Sequence, residues 1–498
     1  MKINPLTAID FYKADHRRQY PDGTTKVYSN FTPRSSHLAN VIRDRYDETI
    51  VFFGLQGFCK WFLIDCWNEE FFNKPKDEVL RKYKRRMDNA LGPDAISVEH
   101  ISALHDLGYL PIRIKALPEG SRVPIKVPVL TVENTHPDFF WLTNYLESIM
   151  SAELWKSSFV ATIANEYRKM LNDYADFTGA PKEFVPFQGH DFSFRGMSGL
   201  HDAVQHGVGH LTSFVGTDTV PAIDFAEDYY NANSDNELVG CSVPATEHSV
   251  MCMGTKNGEI DTFRRLITEL YPSGIVSIVS DTWDYWQVLT DFMVQLKDDI
   301  LNRTPDALGN AKLVCRPDSG DPVKIICGDP DAPLDSPEHK GSLECLWEVF
   351  GGTYTEAGYR VLNPRVGLIY GDSITLERCR AILARMAEAG FASCNIVFGI
   401  GSFTYQFATR DSFGWAMKAT YGEVNGVGRE IFKDPKTDSG TKKSAKGLLR
   451  VELVDGQYVL FDQQTPEESE KGCLTEVFRN GRMTVETSLA EIRKRIEQ

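Results

Sequence analysis

Four short apolar runs in the second half of the chain end alike. SGIVSIVSD stops at Asp281, AKLVCRPDSGD runs into a glycine loop at Gly320, RVGLIYGDS stops at Asp372 and CNIVFGIGS stops at Ser402. Between them, apolar residues recur at helical spacing: Tyr285, Leu289, Phe292, Met293, Leu296 and Ile300, then Leu376, Cys379, Ile382, Leu383 and Met386, with Gly390 placed as a C-cap. Continuous apolar strands alternating with helices predict a parallel sheet buried on both faces, either open or closed into a barrel. In both forms the chemistry gathers at the carboxyl ends of the strands. Here those ends carry Asp281, Arg316, Asp318, Gly371, Asp372, Gly399 and Gly401.

The first third reads differently. YLPIRIKAL and VPIKVPVLTVE flank the turn cluster PEGSR, which predicts a hairpin over 109–133. Residues 139–176 carry helical spacing, as one long helix or two. A second hairpin is expected after residue 450, through the Asp-Gly of GLLRVELVDGQYVLF. The Pro/Asp-rich segment 328–342 reads as a surface loop. Segment 433–447 holds five lysines against two aspartates; alone it is a solvated loop, although its charge suits closure over phosphates.

At 498 residues the chain is long for one core, which predicts two structural units. Its net charge is 54 − 69 = −15, so it is not built to coat nucleic acid, and any phosphate must be met by local basic groups. Ten scattered cysteines without a C-x-x-C argue against a disulfide scaffold or zinc ribbon and fit a reducing compartment. No signal-like N-terminal run and no membrane-length apolar segment is present; a cytoplasmic protein is expected.

Individual motifs are weaker. GIGSF lacks the third glycine of a dinucleotide fingerprint, so no NAD-type redox cofactor is expected, although a glycine loop at a strand end still offers N–H groups to a phosphate. His206 and His210 stand four apart, with His201 nearby, but without a third ligand they predict no zinc site. RPDSGDP delivers Arg316, a fork for phosphate, and Asp318, a partner for ribose hydroxyls or metal-bound water. HDFSFRG supplies Phe192 to stack on a flat ring and Arg195 to grip phosphate. In CSVPATEHSVM, Pro244 suits a first helical turn opened by Thr246 and Glu247, which sets His248 near a helix N-terminus that attracts anions. Alone, that stretch reads as a capped helix.

Taken in order, DFYKADHRRQYP, HDFSFRG, GTDTV, SVPATEHS, SIVSDTWD, RPDSGDP, YGDS and IFKDP resemble the nicotinamide phosphoribosyltransferase family from about residue 6 to about 490. The resemblance implies a type II phosphoribosyltransferase fold, shared with nicotinate phosphoribosyltransferase. That is an irregular α/β barrel over 151–404 with a β-rich domain built from 1–150 and 405–498. It implies a homodimer with sites at the interface. The reaction implied joins nicotinamide to phosphoribosyl pyrophosphate with Mg²⁺, coupled to ATP hydrolysis through a phosphorylated histidine; no nucleic acid or membrane partner is implied.

Residue by residue, Phe192 would stack one ring face and Tyr12 of the partner subunit the other, while Asp218 would accept from the carboxamide. Arg195, Arg316 and Pro317 would line the phosphate side. Asp318, Gly371 and Asp372 would bind ribose and, through Asp318 and Asp372, the metal. Gly401 and Ser402 lie in a phosphate loop, and Arg410 would hold the 5′-phosphate. Arg34, Lys418 and Lys433 are candidate contacts to ATP or pyrophosphate. His248 falls at the phosphorylated position, with Glu247 or Asp281 as the carboxylate that orients it. The loop Gly-Ile-Gly-Ser-Phe has fewer glycines than the family's, and Ser402 and Phe403 lack glycine's freedom at positive φ, so the family's phosphate geometry does not carry over to this loop in detail. The rival readings are a nicotinate phosphoribosyltransferase, whose acid substrate Asp218 would repel, and a silent homologue, which would have lost His248, Arg316 or Asp318.

Overall fold

The computed structural model of the chain describes residues 3–371, 373–432 and 445–497. Its centre is a six-stranded sheet of β1 (Gly189–Asp191), β2 (Gly216–Thr217), β3 (Gly274–Val279), β4 (Ala311–Arg316), β5 (Val366–Tyr370) and β6 (Ile396–Ile400). The order is β2-β1-β6-β5-β4-β3, and every pair is parallel. The four apolar runs are β3 to β6. β5 is buried at every position, as a strand covered on both faces must be.

The edges of this sheet do not stay open. The segment from Cys241 to Thr246 bridges Gly216 on one edge and Ser277 on the other, both in parallel sense. Cys241 N–H donates to Val215 and Thr217 N–H to the Cys241 carbonyl, at 2.7 and 2.9 Å. Ser277 N–H donates to Pro244 and Thr246 N–H to Ser277, at 2.9 and 3.0 Å. Pro244 has no N–H to give, so the segment closes an irregular barrel as single bridges and not as a regular strand. The expectation that Pro244 opens a helix is therefore corrected. The helix is His248–Met253, and Pro244 serves the barrel wall.

Helices pack outside. Leu376–Glu388 buries the five residues that the spacing picked out, with Thr375 capping its start and Gly390 following at φ +78°. The spacing from Tyr285 to Ile300 forms a broken run of short helical turns. The 32-residue helix Glu147–Thr178 lies behind the barrel. Segment 328–342 is a loop only in its first part, because Ser336 caps a helix that begins at Pro337.

A seven-stranded antiparallel sheet combines both chain ends. Its order is 427–430, 416–424, 24–32, 130–134, 112–116, 475–479 and 482–483. Within the expected hairpin, Ile112–Ala116 pairs with Leu130–Asn134, but Arg122–Pro124 leaves to pair with Thr49–Val51. The later hairpin pairs Leu448–Val454 with Gln457–Gln464 across Asp455-Gly456, both at positive φ. One apolar cluster, including Phe31, Tyr167, Leu368 and Phe478, runs through both parts. No helix among the described residues is long and apolar enough to cross a membrane.

Candidate active site

Asp281, just past the end of β3, is the anchor of one side of the barrel mouth. Its Oδ2 accepts the backbone N–H groups of Asp318 and Ser319, each at 2.9 Å, and the Ser319 hydroxyl. Its Oδ1 lies 3.2 Å from His248 Nε2. Burial pushes the carboxyl up, but the hydrogen bonds from Ser319, the Asp318 amide and His248 outweigh it and leave Asp281 below the usual aspartate value. Of the two carboxylates proposed beside His248, Asp281 is the one in contact. Glu247 instead accepts from Ser249.

Arg316 ends β4, and its Nη2 donates 2.6 Å to the Thr246 carbonyl, two residues before His248. Thr246 is itself fixed, because its hydroxyl accepts the Val279 N–H at 2.9 Å. Arg316 Nε lies 3.7 Å from Asp318 Oδ1, and Pro317 between them is buried. The end of β5 comes so close that a Cβ at Gly371 would stand 2.3 Å from Asp318 Oδ1, so any side chain there would displace the Asp318 carboxylate. Asp372 and Lys433 lie outside the described residues.

The other side of the mouth follows β1. Phe192 N–H donates to Ile400 at 2.9 Å, and a Cβ at Gly399 would stand 2.5 Å from the Phe192 ring. Asp218 accepts from Ser242 Oγ at 2.7 Å and lies 2.9 Å from His190 Nε2. Burial raises its pKa, but the bond to His190, with that from Ser242, more than compensates and holds it below the ordinary value. The His190 and Phe192 ring centroids are 4.7 Å apart. Sequence reasoning missed His190 and Ser242. The signal for His190 was its i, i+2 relation to Phe192, which puts both on one face of an extended chain. Beneath them, fully buried Asp191 accepts from Ser193 N at 2.9 Å and from Thr219 Oγ1 at 2.7 Å.

Arg195 lies exposed in the turn Phe194–Gly196, and Gly196 packs directly on Ser402. Ser402 opens the short helix Ser402–Tyr405, preceded by Gly401 at φ −93°. Neither Ser402 nor Phe403 stands at positive φ, so the backbone at these two positions makes no use of glycine's freedom.

Four predicted residues stand apart from this group. Tyr12 is 59% exposed, with its ring against His16 and Lys13. Arg34 Nε donates to Gly414 at 3.0 Å. Arg410 lies 3.6 Å from Asp411, and Lys418 is exposed on strand Ala416–Val424. The histidine pair splits: His206 Nδ1 lies 2.5 Å from Asp202, whereas His210 bridges Tyr405 and the Gly216 carbonyl. No group of three or more potential metal ligands of the His, Cys, Asp and Glu kinds occurs among the described residues.

Residues 187–482 match the model of the nicotinate phosphoribosyltransferase (NAPRTase) family. Residues 4–114 match that of the nicotinamide phosphoribosyltransferase N-terminal domain. A nicotinamide phosphoribosyltransferase of Acinetobacter baylyi is 67% identical over 497 residues, covering 100% of this chain and 98% of its own. One from Xanthomonas campestris pv. campestris is 32% identical, covering 98% and 97%. Two solved structures share the fold at low identity. They are a nicotinate-nucleotide pyrophosphorylase from Pyrococcus furiosus (13% identity, TM-score 0.56, covering 99% and 95%) and the human nicotinic acid phosphoribosyltransferase (15%, 0.53, covering 98% and 92%).

Proposed function

We propose, for a chain that belongs to the nicotinate phosphoribosyltransferase family and is a phosphoribosyltransferase enzyme, that its substrates are nicotinamide and 5-phosphoribosyl 1-pyrophosphate. The products are nicotinamide mononucleotide and pyrophosphate, a step of NAD salvage. The observation that carries this reading is the pairing of two unlike walls at one mouth. Phe192 and the ionised Asp218 suit a flat ring bearing an amide. Arg316, Asp318 and His248 suit a phosphorylated sugar.

In this reading the pyridine nitrogen attacks C1 of the ribose as the bond to pyrophosphate breaks. The protein's work is positioning and charge stabilisation. Phe192 stacks the ring, and Asp218 accepts from the carboxamide N–H and repels a carboxylate in its place. Arg195, Arg316 and the Gly401–Ser402 loop hold phosphate oxygens. The Asp318 carboxylate is a hard oxygen donor of the kind Mg²⁺ takes, so with Asp372 it would hold an ion that neutralises pyrophosphate charge. ATP enters through His248. Asp281 holds the proton on Nε2 and leaves Nδ1 free to attack the γ-phosphorus; the P–O bond to ADP breaks, and water later cleaves the phosphohistidine.

A second copy of the chain completes the site. Tyr12, Arg410 and Lys418 face outward, and beside the mouth Phe403 and Phe407 stack at 5.3 Å while 53% and 74% exposed, a rim that favours cover. By this reading Tyr12 closes the second ring face and Arg410 and Lys418 reach phosphates across a two-fold interface, with Arg34 and Lys433 as further candidate contacts to ATP or pyrophosphate. Product analysis with phosphoribosyl pyrophosphate and each base tests the reaction. Nicotinamide should give the mononucleotide and nicotinate should give little product. Equal use of both bases would overturn the ring-wall assignment.

A further inference from the structure

Behind the two phosphate-side loops lies a buried ammonium that the reaction above does not use. Lys156 projects from helix Glu147–Thr178 with its side chain only 8% exposed. Its Nζ donates 2.7 Å to each oxygen of Asp202 and also to Gln406 Oε1. Asp202 further accepts the Ser198 N–H at 2.8 Å and lies 2.5 Å from His206 Nδ1. Gln406 Nε2 donates to the Ser198 hydroxyl, and its backbone N–H donates 2.6 Å to Ser402.

The connections matter because of what each loop carries. Residues 192–199 follow β1 and bear Phe192 and Arg195; residues 401–408 follow β6 and bear Ser402. The loops touch where Gly196 meets Ser402, at a distance that leaves no room for a side chain at position 196. Lys156 is bonded to both, through Asp202 and Ser198 on one side and Gln406 on the other. A cavity of about 250 Å³, lined by Glu153, Lys156, His201, Asp202 and Gln406, adjoins the network. Removing the Lys156 ammonium would therefore leave the Asp202 carboxylate facing this cavity without that partner and loosen the junction.

We infer that Lys156 is a positioning residue for the phosphate-bearing substrate, fixing the distance between Arg195 and Ser402 by locking the β1 and β6 loops together. This rests on the phosphoribosyl-transfer reading. Lys156 touches no substrate. It acts through two loops, so its loss should show in one substrate and spare the other. Misplacing a charged contact by a fraction of its hydrogen-bond length weakens it sharply, while the ring wall has its own holds: Phe192 N–H on Ile400, and Asp218 on His190 and Ser242, none of them bonded to the network.

The test is steady-state kinetics of the full-length enzyme with each substrate varied in turn. Lys156→Met should raise the KM for phosphoribosyl pyrophosphate about tenfold or more and change the KM for nicotinamide less than about twofold. Gln406→Ala, which cuts one arm and leaves the ion pair intact, should raise the same KM about threefold. Because Lys156→Met strands the Asp202 carboxylate and threatens folding, the double variant Lys156→Met/Asp202→Leu removes both charges. It should melt near the wild-type temperature yet keep the defect for phosphoribosyl pyrophosphate. A folded double variant and a Gln406→Ala enzyme with wild-type KM for phosphoribosyl pyrophosphate would overturn the role given to Lys156, as would an equal rise in both KM values. A wild-type enzyme that makes no mononucleotide at all would instead remove the reaction itself.

Discussion

Two histidine–aspartate pairs stand at the mouth of one barrel, built the opposite way round. At His190–Asp218 the histidine side chain is 11% exposed and the carboxylate 47%. At His248–Asp281 the histidine is 50% exposed and the carboxylate 6%. The contacts are alike, Nε2 to Oδ1 at 2.9 and 3.2 Å. What differs is which partner the fold presents. On the ring side a buried histidine offers a carboxylate; on the phosphate side a buried carboxylate, held also by two backbone amides, offers a histidine. In the proposed reading the same two residue types serve as an acceptor for an amide or a nucleophile for phosphorus, according to burial.

Mutating the presented member should do most harm, and the phosphate side should show the largest effect. His248→Ala removes the nitrogen proposed to attack ATP, so ATP hydrolysis should fall about 10³-fold or more, while some ATP-independent mononucleotide synthesis should remain. Asp281→Asn should cost ATP hydrolysis about 10²-fold, since it disturbs the tautomer and releases the 318–319 turn. Radiolabelled ATP turnover measures both, and unchanged hydrolysis in His248→Ala would end the phosphohistidine reading.

On the ring side the effects are smaller because they concern choice. Asp218→Asn keeps the shape and removes the charge, so the preference for nicotinamide over nicotinate, as a ratio of kcat/KM, should narrow about tenfold to a hundredfold. His190→Gln retains a donor toward Asp218 and should narrow it only about threefold. If His190→Gln changed the preference more than Asp218→Asn, the order of support and presented member would be reversed.

Subunit mixing probes whether both pairs serve a shared site. A Tyr12→Ala/Arg410→Ala variant and a Phe192→Ala/Asp318→Ala variant, each nearly inactive, should regain up to about a quarter of wild-type activity after exchange. Random pairing makes half the dimers mixed, with one of their two sites intact. Exchange without recovery would place Tyr12 and Arg410 outside the site.

Much of this arrangement was legible in sequence, for physical reasons. β3, β5 and β6 are apolar and nearly continuous because they are buried on both faces, whereas β4 alternates buried and half-buried positions, and each of the four reaches a polar or glycine residue at its end or within two residues of it. The rest had no local signature. β2 is two residues long, and the closing segment Cys241–Thr246 carries a proline, so neither shows a strand period. The choice of Asp281 over Glu247 could not be read from chain distance, since the nearer carboxylate turns to Ser249 and the partner lies 33 residues on. Lys156 was invisible for a like reason: a lysine in an otherwise helical pattern reads as surface until its partners at 202 and 406 are brought to it.

The smallest expected effect concerns pH, and it tests the charge on which the ring-side half of the comparison depends. Asp218 and Asp281 both titrate below an ordinary aspartate, near 3.9. A depressed carboxyl pKa means that folding favours the ionised form. That stabilisation is complete above about 3.9 and is lost only as pH falls through the lower folded value. Neither carboxylate should therefore change charge between about pH 8 and about pH 6, despite being partly or largely withdrawn from water. The ratio of kcat/KM for nicotinamide to that for nicotinate should stay constant within about twofold across this range. Any loss of ATP hydrolysis within the same range must come from other groups, because Asp281 keeps its charge. A ratio that collapsed tenfold by pH 6 would mean that Asp218 gains a proton there. The hydrogen bonds from His190 and Ser242 would then be too weak to hold the charge that the amide-accepting wall requires.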